Sequence, residues 1–429
     1  MDELAVLLKG QRRRLVAHLA HGLGLAHLGL AEDAVQAASL RALELWPVEG
    51  TPANPAGWLF RTARHHAIDQ LRRAGRNDEL PADEAGTPAA LTVQAPAGRL
   101  AGELDDEELA LLFAACHPQL PAATQVALAL RALGGLGLAT IADGLFCSEA
   151  ALAQRLARAR STLAGESLAL PAGRDLAPRR ESVLTTLLLM FHAGQQASGR
   201  QGEHEPERAS PHEPLSMCWE AIRLARAVAA HPATAAADAD ALAALLLLHG
   251  ARLTGRLDAA GDIIPLAGQP RDRWDQGLVR LGFSHLQRAQ QATQLSRWHL
   301  MAGIAAEHAA APTYEQTDWA SIAGYYEQLV ALDPSAAPRL GHAIALAEGG
   351  TPAEALRRLL ALAPEAPVAL QAHTWAAVAR AHERLGDTAR AVSSLDRAIG
   401  CARHGADARL LQRRRDLLGV SPPIGLHRA

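Results

Sequence analysis

The chain has 429 residues, enough for roughly two to four domains with real cores, and a formal net charge of -3. That charge excludes a protein that coats nucleic acid by bulk attraction, so any DNA contact must come from local patches. Four scattered cysteines, Cys116, Cys147, Cys218 and Cys401, show no CxxC spacing, which argues for a reducing compartment and against a disulfide frame or a cysteine-based zinc site. No signal-peptide pattern and no apolar run of spanning length are visible, so a soluble, cytoplasmic chain without a membrane partner is expected. Lys9 is the only lysine, a bias of composition that makes arginine over lysine weak evidence for function.

Helical periods dominate, glycine and proline act as punctuation, and the alternation of half-buried strands is missing, so the expected fold class is all-α. Residues 4 to 30 read as helix carrying the basic cluster Arg12, Arg13 and Arg14. In the following AEDAVQAASLRALELW, Ala31, Ala34, Val35, Ala38, Ala42 and Leu45 share a core face. Glu32, Gln36, Leu40 and Leu43 lie opposite, and two leucines on a face that should be wet suggest a partner surface, unless a neighbouring helix of the same chain covers them.

A proline-rich connector leads to PAGWLFRTARHHAIDQLRR. Phe60, Ala63, Ala67 and Leu71 form its buried stripe, while Trp58, Arg61, His65, Asp69, Arg72 and Arg73 fan out on the other side. A basic face headed by one aromatic suits DNA, since arginine binds phosphate and a ring supports an unstacked base; a charged face that is merely solvated is the plain alternative. His65 and His66 diverge by about 100° on a helix and cannot easily share a metal.

Residues 78 to 108 hold nine acidic residues against the single Arg99, among Pro, Ala and Gly, and read as a flexible linker. Cys116 and His117 in LLFAACHPQLP read as the packed start of a second module rather than as ligands, and no metal site or cofactor is expected.

From Leu120 to Leu163 the pattern is a helix ending at Gly134-Gly135, a short helix with Ile141, Ala142 and Leu145, and a third helix opened by Ser148 as N-cap and Glu149 as an acidic first turn. That is a helix-turn-helix layout. Leu152, Leu156, Ala159 and Leu163 make the buried stripe of the third helix, which leaves Ala150, Gln154, Arg158 and Ser161 outward with Arg155 beside them. Gln and Arg facing outward can read a major groove.

AEDAVQAASLRALELW, NPAGWLFRTARHHAIDQLRR, LPAATQVALALRALGGL and IADGLFCSEAALAQRLARAR, in this order and spacing, resemble region 2 followed by region 4 of the extracytoplasmic-function sigma factors of bacterial RNA polymerase. The resemblance covers roughly the first 165 residues. It implies that the helix with Glu32, Asp33 and Gln36, extended by Leu40 and Leu43, docks on the polymerase core. It further implies that the helix with Asn54, Trp58, Arg61, Arg64, His65, Arg72 and Arg73 engages the promoter -10 element. Ser148, Glu149, Ala150, Gln154, Arg155 and Arg158 would then read the -35 element. Position 37 is Ala where the family often carries an acid.

Beyond residue 169, ESVLTTLLLMFHAGQQ reads as an apolar helix and is followed by a polar, proline-bearing loop. WAAVARAHERLGDTARAVSSLDRAI fits the tetratricopeptide pattern through Trp375, Val378, Ala379, His382, Gly386, Ala391, Leu395 and Ala398. Ala355 with Leu359 and Ile322 with Tyr326 stand at equivalent second-helix positions, 36 and 33 residues apart, near the ~34-residue period. Segments 216 to 232 and 240 to 265 read as degenerate copies. A sigma-like front with such a rear resembles the group that carries a C-terminal repeat extension, and CWEAIRLARAVAAHP and the Asp272 to Asp275 DRWD add to the likeness.

The expected organisation is therefore a region 2-like domain (1–77), an acidic linker (78–108), a region 4-like helix-turn-helix domain (109–168) and a tetratricopeptide-like domain (169–429). The implied partners are RNA polymerase core, promoter DNA and a protein or peptide ligand of the repeat face. Two other classes fit the sequence less well. An operator-binding regulator leaves the Gln36/Leu40/Leu43 face and the Trp58/Arg61 helix without jobs. An enzyme lacks support: there is no GxSxG, HExxH, P-loop or strand-borne GxGxxG, and His249, His285 and His299 read as core or surface residues.

Overall fold

The computed structural model describes residues 2–74, 106–134, 136–145, 147–166, 168–171, 173–198, 213–258, 262–402 and 405–419. The expected linker at 78–108 lies almost wholly outside the described residues. Among those residues the fold is all-α, and the only extended pairing is an isolated bridge between Leu257 and Ile263. The chain forms two compact units, one through Gly194 with Ser216–Ala235, the other Gln195–Leu215 with Ala236–Ala429.

The first unit opens with α1 (Asp2–Leu23), α2 (Leu28–Glu49) and α3 (Pro55–Ala74). The helical pattern over 4 to 30 is not one helix, for the chain turns after Leu23. Gly24 adopts φ 83°, a left-handed conformation cheap only for glycine, and its N–H closes on the Ala20 carbonyl at 2.8 Å. Ala31, Ala34, Val35, Ala38 and Ala42 are fully buried, as the periodicity of α2 requires. Asn54 caps α3 by accepting the Gly57 N–H at 2.9 Å, with Pro55 pre-set at the first helical position. Phe60, Ala63 and Ala67 are buried on α3, joined by Leu59 and Ile68, while Leu71 is only half-buried.

Next come α4 (Asp106–Ala115), α5 (Ala122–Ala132), α6 (Leu138–Gly144) and α7 (Glu149–Thr162). Cys116 is buried, and burial pushes its thiol up to about 12, so it behaves as a small hydrophobe. Two further helices, α8 (Leu176–Ser198) and α9 (Glu213–Ala230), complete this unit. The compact unit thus runs past the boundary expected near residue 168. The reason is a buried polar knot: Gln125 on α5 donates to the carbonyls of His117 (3.0 Å) and Leu120 (2.8 Å) and accepts from Ser182 (3.0 Å) and Thr186 (2.9 Å) on α8. Every polar atom of that amide is satisfied only with α8 in place.

The second unit begins with α10 (Ala237–Gly250), apolar all round from Ala241 to Leu248 and accordingly buried on all sides. Residues 251–258 and 262–275 then carry short 3-10 turns instead of the second helix expected for a repeat copy over 240 to 265, because Gly250, Gly255, Pro265, Gly268 and Pro270 interrupt the pattern. After α11 (Gln276–Ala289), helix pairs follow: α12 (Arg297–Ala310) with α13 (Trp319–Leu332), α14 (Ala336–Glu348) with α15 (Pro352–Leu362), and α16 (Val368–Arg384) with α17 (Thr388–Cys401), ending in α18 (Gly405–Gly419).

The repeat positions read from sequence are equivalent in space. Ile322, Ala355 and Ala391 are each buried, and each donates its N–H to the carbonyl of the capping residue of its second helix, Asp318, Thr351 and Asp387. Gly386, at φ 78°, makes the turn inside the third pair. Leu340, Ala343, Leu359, Leu362, Ala377, Val378 and Ala381 pack as one cluster across three helices, and Ala379, Leu395, Ala398 and Leu411 continue it. A core that passes from pair to pair is what a stacked helical repeat needs.

Candidate polymerase and DNA interfaces

On α2, Asp33, Gln36, Leu40 and Leu43 are exposed, the two leucines at 54% and 44%. Large aliphatic side chains left that open on one helix edge form an apolar strip with a polar start. Glu32 departs from the expected outward set. It is 3% exposed, and its carboxylate accepts from Arg131 Nε on α5 at 3.0 Å. Arg12 and Arg160 also act on it, and burial, the largest influence, raises its pKa against the pull of these cations. The helical wheel places Glu32 with Gln36 correctly, but the Arg131 side chain reaches it from α5 and it is buried, while Gln36, Leu40 and Leu43 stay exposed. Arg131, Arg12 and Arg160 were not foreseen, because Glu32 and Arg131 are 99 residues apart and no local pattern links them. The same unit carries a further ion pair between α1 and α4, Arg14 with Glu108 at 3.8 Å, and beside it His18 Nδ1 lies 3.4 Å from the Glu107 carboxylate.

On α3 the expected fan is largely present. Arg61, His65, Arg72 and Arg73 are exposed, Arg64 is half-buried, and its Nε is enclosed without a hydrogen-bond partner. Trp58 is half-buried and meets Trp46 edge to face, with centroids 5.4 Å apart, so its ring is partly spent on packing α3 against α2. Asn54 serves the backbone as a cap while its residue remains exposed.

On α7, Ser148 Oγ accepts the Ala151 N–H at 3.2 Å and fixes the start of the helix. Leu152, Leu156, Ala159 and Leu163 are buried. Glu149, Ala150, Gln154 and Arg158 are exposed, and Arg155 is half-buried. The helix therefore presents an outward amide and guanidinium one turn apart, with a hydrophobic stripe behind them, a geometry able to meet base edges and phosphates.

The first unit thus sets an apolar strip on α2 and a basic side on α3 ahead of four further helices, α4 to α7, the last of them with an outward amide and guanidinium. Comparison with known proteins gives the following matches. The sigma-70 region 2 family matches residues 9–77, and a family of unknown function (DUF6596) matches residues 179–290. A protein of Rhizobium meliloti (strain 1021), itself described only as uncharacterized, is 34% identical over 399 residues, covering 92% of each chain. The crystal structure of the yeast Tom70 aligns over 98% of this chain and 86% of its own at 11% identity and a TM-score of 0.32. The chain belongs to the sigma-factor family, to members that carry a C-terminal extension behind region 2. No helix among the described residues is long and apolar enough to cross a membrane.

Proposed function

We propose that the chain is a promoter-recognition subunit of the extracytoplasmic-function kind. It docks on RNA polymerase core through Asp33, Gln36, Leu40 and Leu43 of α2, engages the -10 element with the Asn54 to Arg73 face of α3, and reads the -35 element with Gln154, Arg155 and Arg158 of α7. Ser148 and Glu149 set the start of that helix, and Ala150 lets the backbone approach the duplex. Glu32 acts as a buried anchor for the docking helix, not as a contact. The observation that carries this reading is the region 2 match over residues 9–77, coinciding with open leucines on α2 beside the basic side of α3. The repeat half regulates this activity in cis or through a bound protein or peptide.

Run-off transcription with purified core enzyme on a promoter library tests the first part. Promoter-specific transcripts, with DNA bound well only in the presence of core, are expected; tight, specific DNA binding by the chain alone would favour an operator-binding regulator. The regulatory part is tested by truncation. A cut near residue 174 would strip α8 from Gln125, so the informative cut falls after Ala235, where the first compact unit ends. Equal output from truncated and full-length chains at every promoter would remove the regulatory role.

A further inference from the structure

In a stacked repeat each helix pair touches its neighbours, so ion pairs should join segments close in sequence. Several in the second unit do. Glu348 at the end of α14 takes Arg380 and Arg384 of α16 at 2.6 and 2.5 Å, and Arg414 of α18 reaches Glu383 of α16 at 2.7 Å. Asp262 departs from that rule. Arg409 Nε donates to its Oδ1 at 2.9 Å and Arg413 Nη1 to its Oδ2 at 2.5 Å, across 147 and 151 residues of chain.

Both ends are shaped for this contact. Asp262 sits in a small hairpin in which Leu257 and Ile263 form the isolated bridge, the Ile264 N–H donates to the Arg256 carbonyl at 2.8 Å, and the Asp262 N–H donates to Asp258 Oδ1 at 2.9 Å. Those bonds fix the backbone that carries the carboxylate. Residues 256–258 and 262–264 are half-buried or exposed, so apolar packing anchors the hairpin only lightly. On α18, Leu411 packs with Ala379, Leu395 and Ala398 of the last helix pair. Arg409 and Arg413 stand one turn apart on the opposite side and converge on the two carboxylate oxygens. The last helix of an array turns a polar outer face to water. Here that face is tied to the segment between α10 and α11. The two guanidiniums, Arg409 first, hold the Asp262 carboxyl below the usual carboxylate range.

We propose that Asp262, Arg409 and Arg413 form a head-to-tail clasp, a conformational device through which the hairpin and α18 open and close together. Each carboxylate oxygen takes one guanidinium, an arrangement that a neutral amide cannot reproduce. Both arginines are half-exposed, and pairs of that kind are individually weak and screened by salt. The clasp therefore opens without melting the apolar clusters that join the helix pairs. Its coupling is reciprocal: whatever loosens the hairpin loosens α18, and whatever takes the arginines frees the hairpin.

Hydrogen exchange of the full-length chain at low ionic strength reads both ends. The amides of Asp258, Asp262 and Ile264 report on the hairpin, and those of α18 on the tail. Asp262→Asn, nearly isosteric, should raise exchange in α18 by about three- to tenfold. Arg409→Gln with Arg413→Gln should raise that of the hairpin amides by a similar factor. Concentrated potassium chloride should do both in the unaltered chain and erase the difference between it and the variants. Asp396→Asn removes from α17 a carboxylate that meets Arg415 of α18 at 3.4 Å, and it should leave the hairpin unchanged. If the double arginine variant does not fold by circular dichroism, Arg413→Gln alone decides. Unchanged α18 exchange in Asp262→Asn, or unchanged hairpin exchange in the folded arginine variant, overturns the clasp. Equal loosening of the hairpin by Asp396→Asn marks a general effect of charge and overturns it as well.

Discussion

Replacing Arg131 by Met tests whether the buried Glu32 pair fastens the docking helix to α5. The substitution keeps an apolar stem of similar reach and removes the guanidinium that donates to Glu32 at 3.0 Å and to the Leu136 carbonyl at 3.2 Å. Removing one partner of a buried pair typically costs about 3 to 5 kcal/mol, because the survivor is left as an uncompensated charge. Here Arg12 and Arg160 still act on Glu32, and the Arg131 side chain retains 20% exposure, so a loss of about 2 to 3 kcal/mol is expected. The effect should be local, and hydrogen exchange of the α2 and α5 amides in the full-length chain reads it as a smaller opening free energy. Its pH dependence is a sharper check. The folded pKa of Glu32 lies above its ordinary value, so its protonated form favours the folded state, and the stability it contributes is present at low pH and lost as pH rises through the folded value. Without Arg131 the ionised form is costlier still. The deficit of Arg131→Met should therefore shrink as pH falls from about 7 toward 5. A deficit below about 1 kcal/mol, or one that does not change with pH, would refute the buried-anchor role.

Four other outcomes are expected. Gln36→Ala with Leu43→Arg should abolish binding to polymerase core in pull-down while circular dichroism stays unchanged, since both side chains are exposed; loss of the fold would place them in the core. Gln154→Ala should cost about 1 to 3 kcal/mol at one -35 position in binding with core, and Arg158→Ala should either relax one position or lower the salt slope uniformly. Gly341→Ala should destabilise the repeat array by about 1 to 3 kcal/mol in denaturant melts, because the added Cβ would run into the Tyr326 ring of the neighbouring α13. Acid should loosen the same unit through His308. Its folded pKa of about 4 lies below the ordinary 6.5, so the stability it contributes is present above 6.5 and lost as pH falls toward 4, by at most about 3 kcal/mol. His308→Phe should flatten that part of the acid transition.

What the sequence revealed follows from which forces are local. The stripes of α2, α3 and α7 were legible because one apolar face per helix is a short-range, periodic demand, and Ala31 to Ala42 and Leu152 to Leu163 are buried as that demand predicts. The equivalence of Ile322, Ala355 and Ala391 was legible because each repeat solves the same packing problem against its neighbour. The break at Gly24 was missed although a single left-handed glycine suffices to turn the chain, since glycine inside a helical pattern is also tolerated at modest cost. Long-range polar pairing left no local trace. Glu32 looks like its outward neighbours Gln36 and Leu40 in sequence, yet Arg131 pairs with it, and α8 looks like the start of the repeat half, yet Gln125 bonds Ser182 and Thr186 on it. Arg252 follows α10 while Arg271 and Trp274 share the turn before α11, and no sequence period relates those two segments, so their meeting over the Trp274 ring left no local trace either. Helix faces can thus be assigned from sequence before the fold is known, whereas buried charges can be assigned only afterwards. Glu32, the candidate contact residue whose place changed most between sequence and structure, is accordingly the one to mutate first.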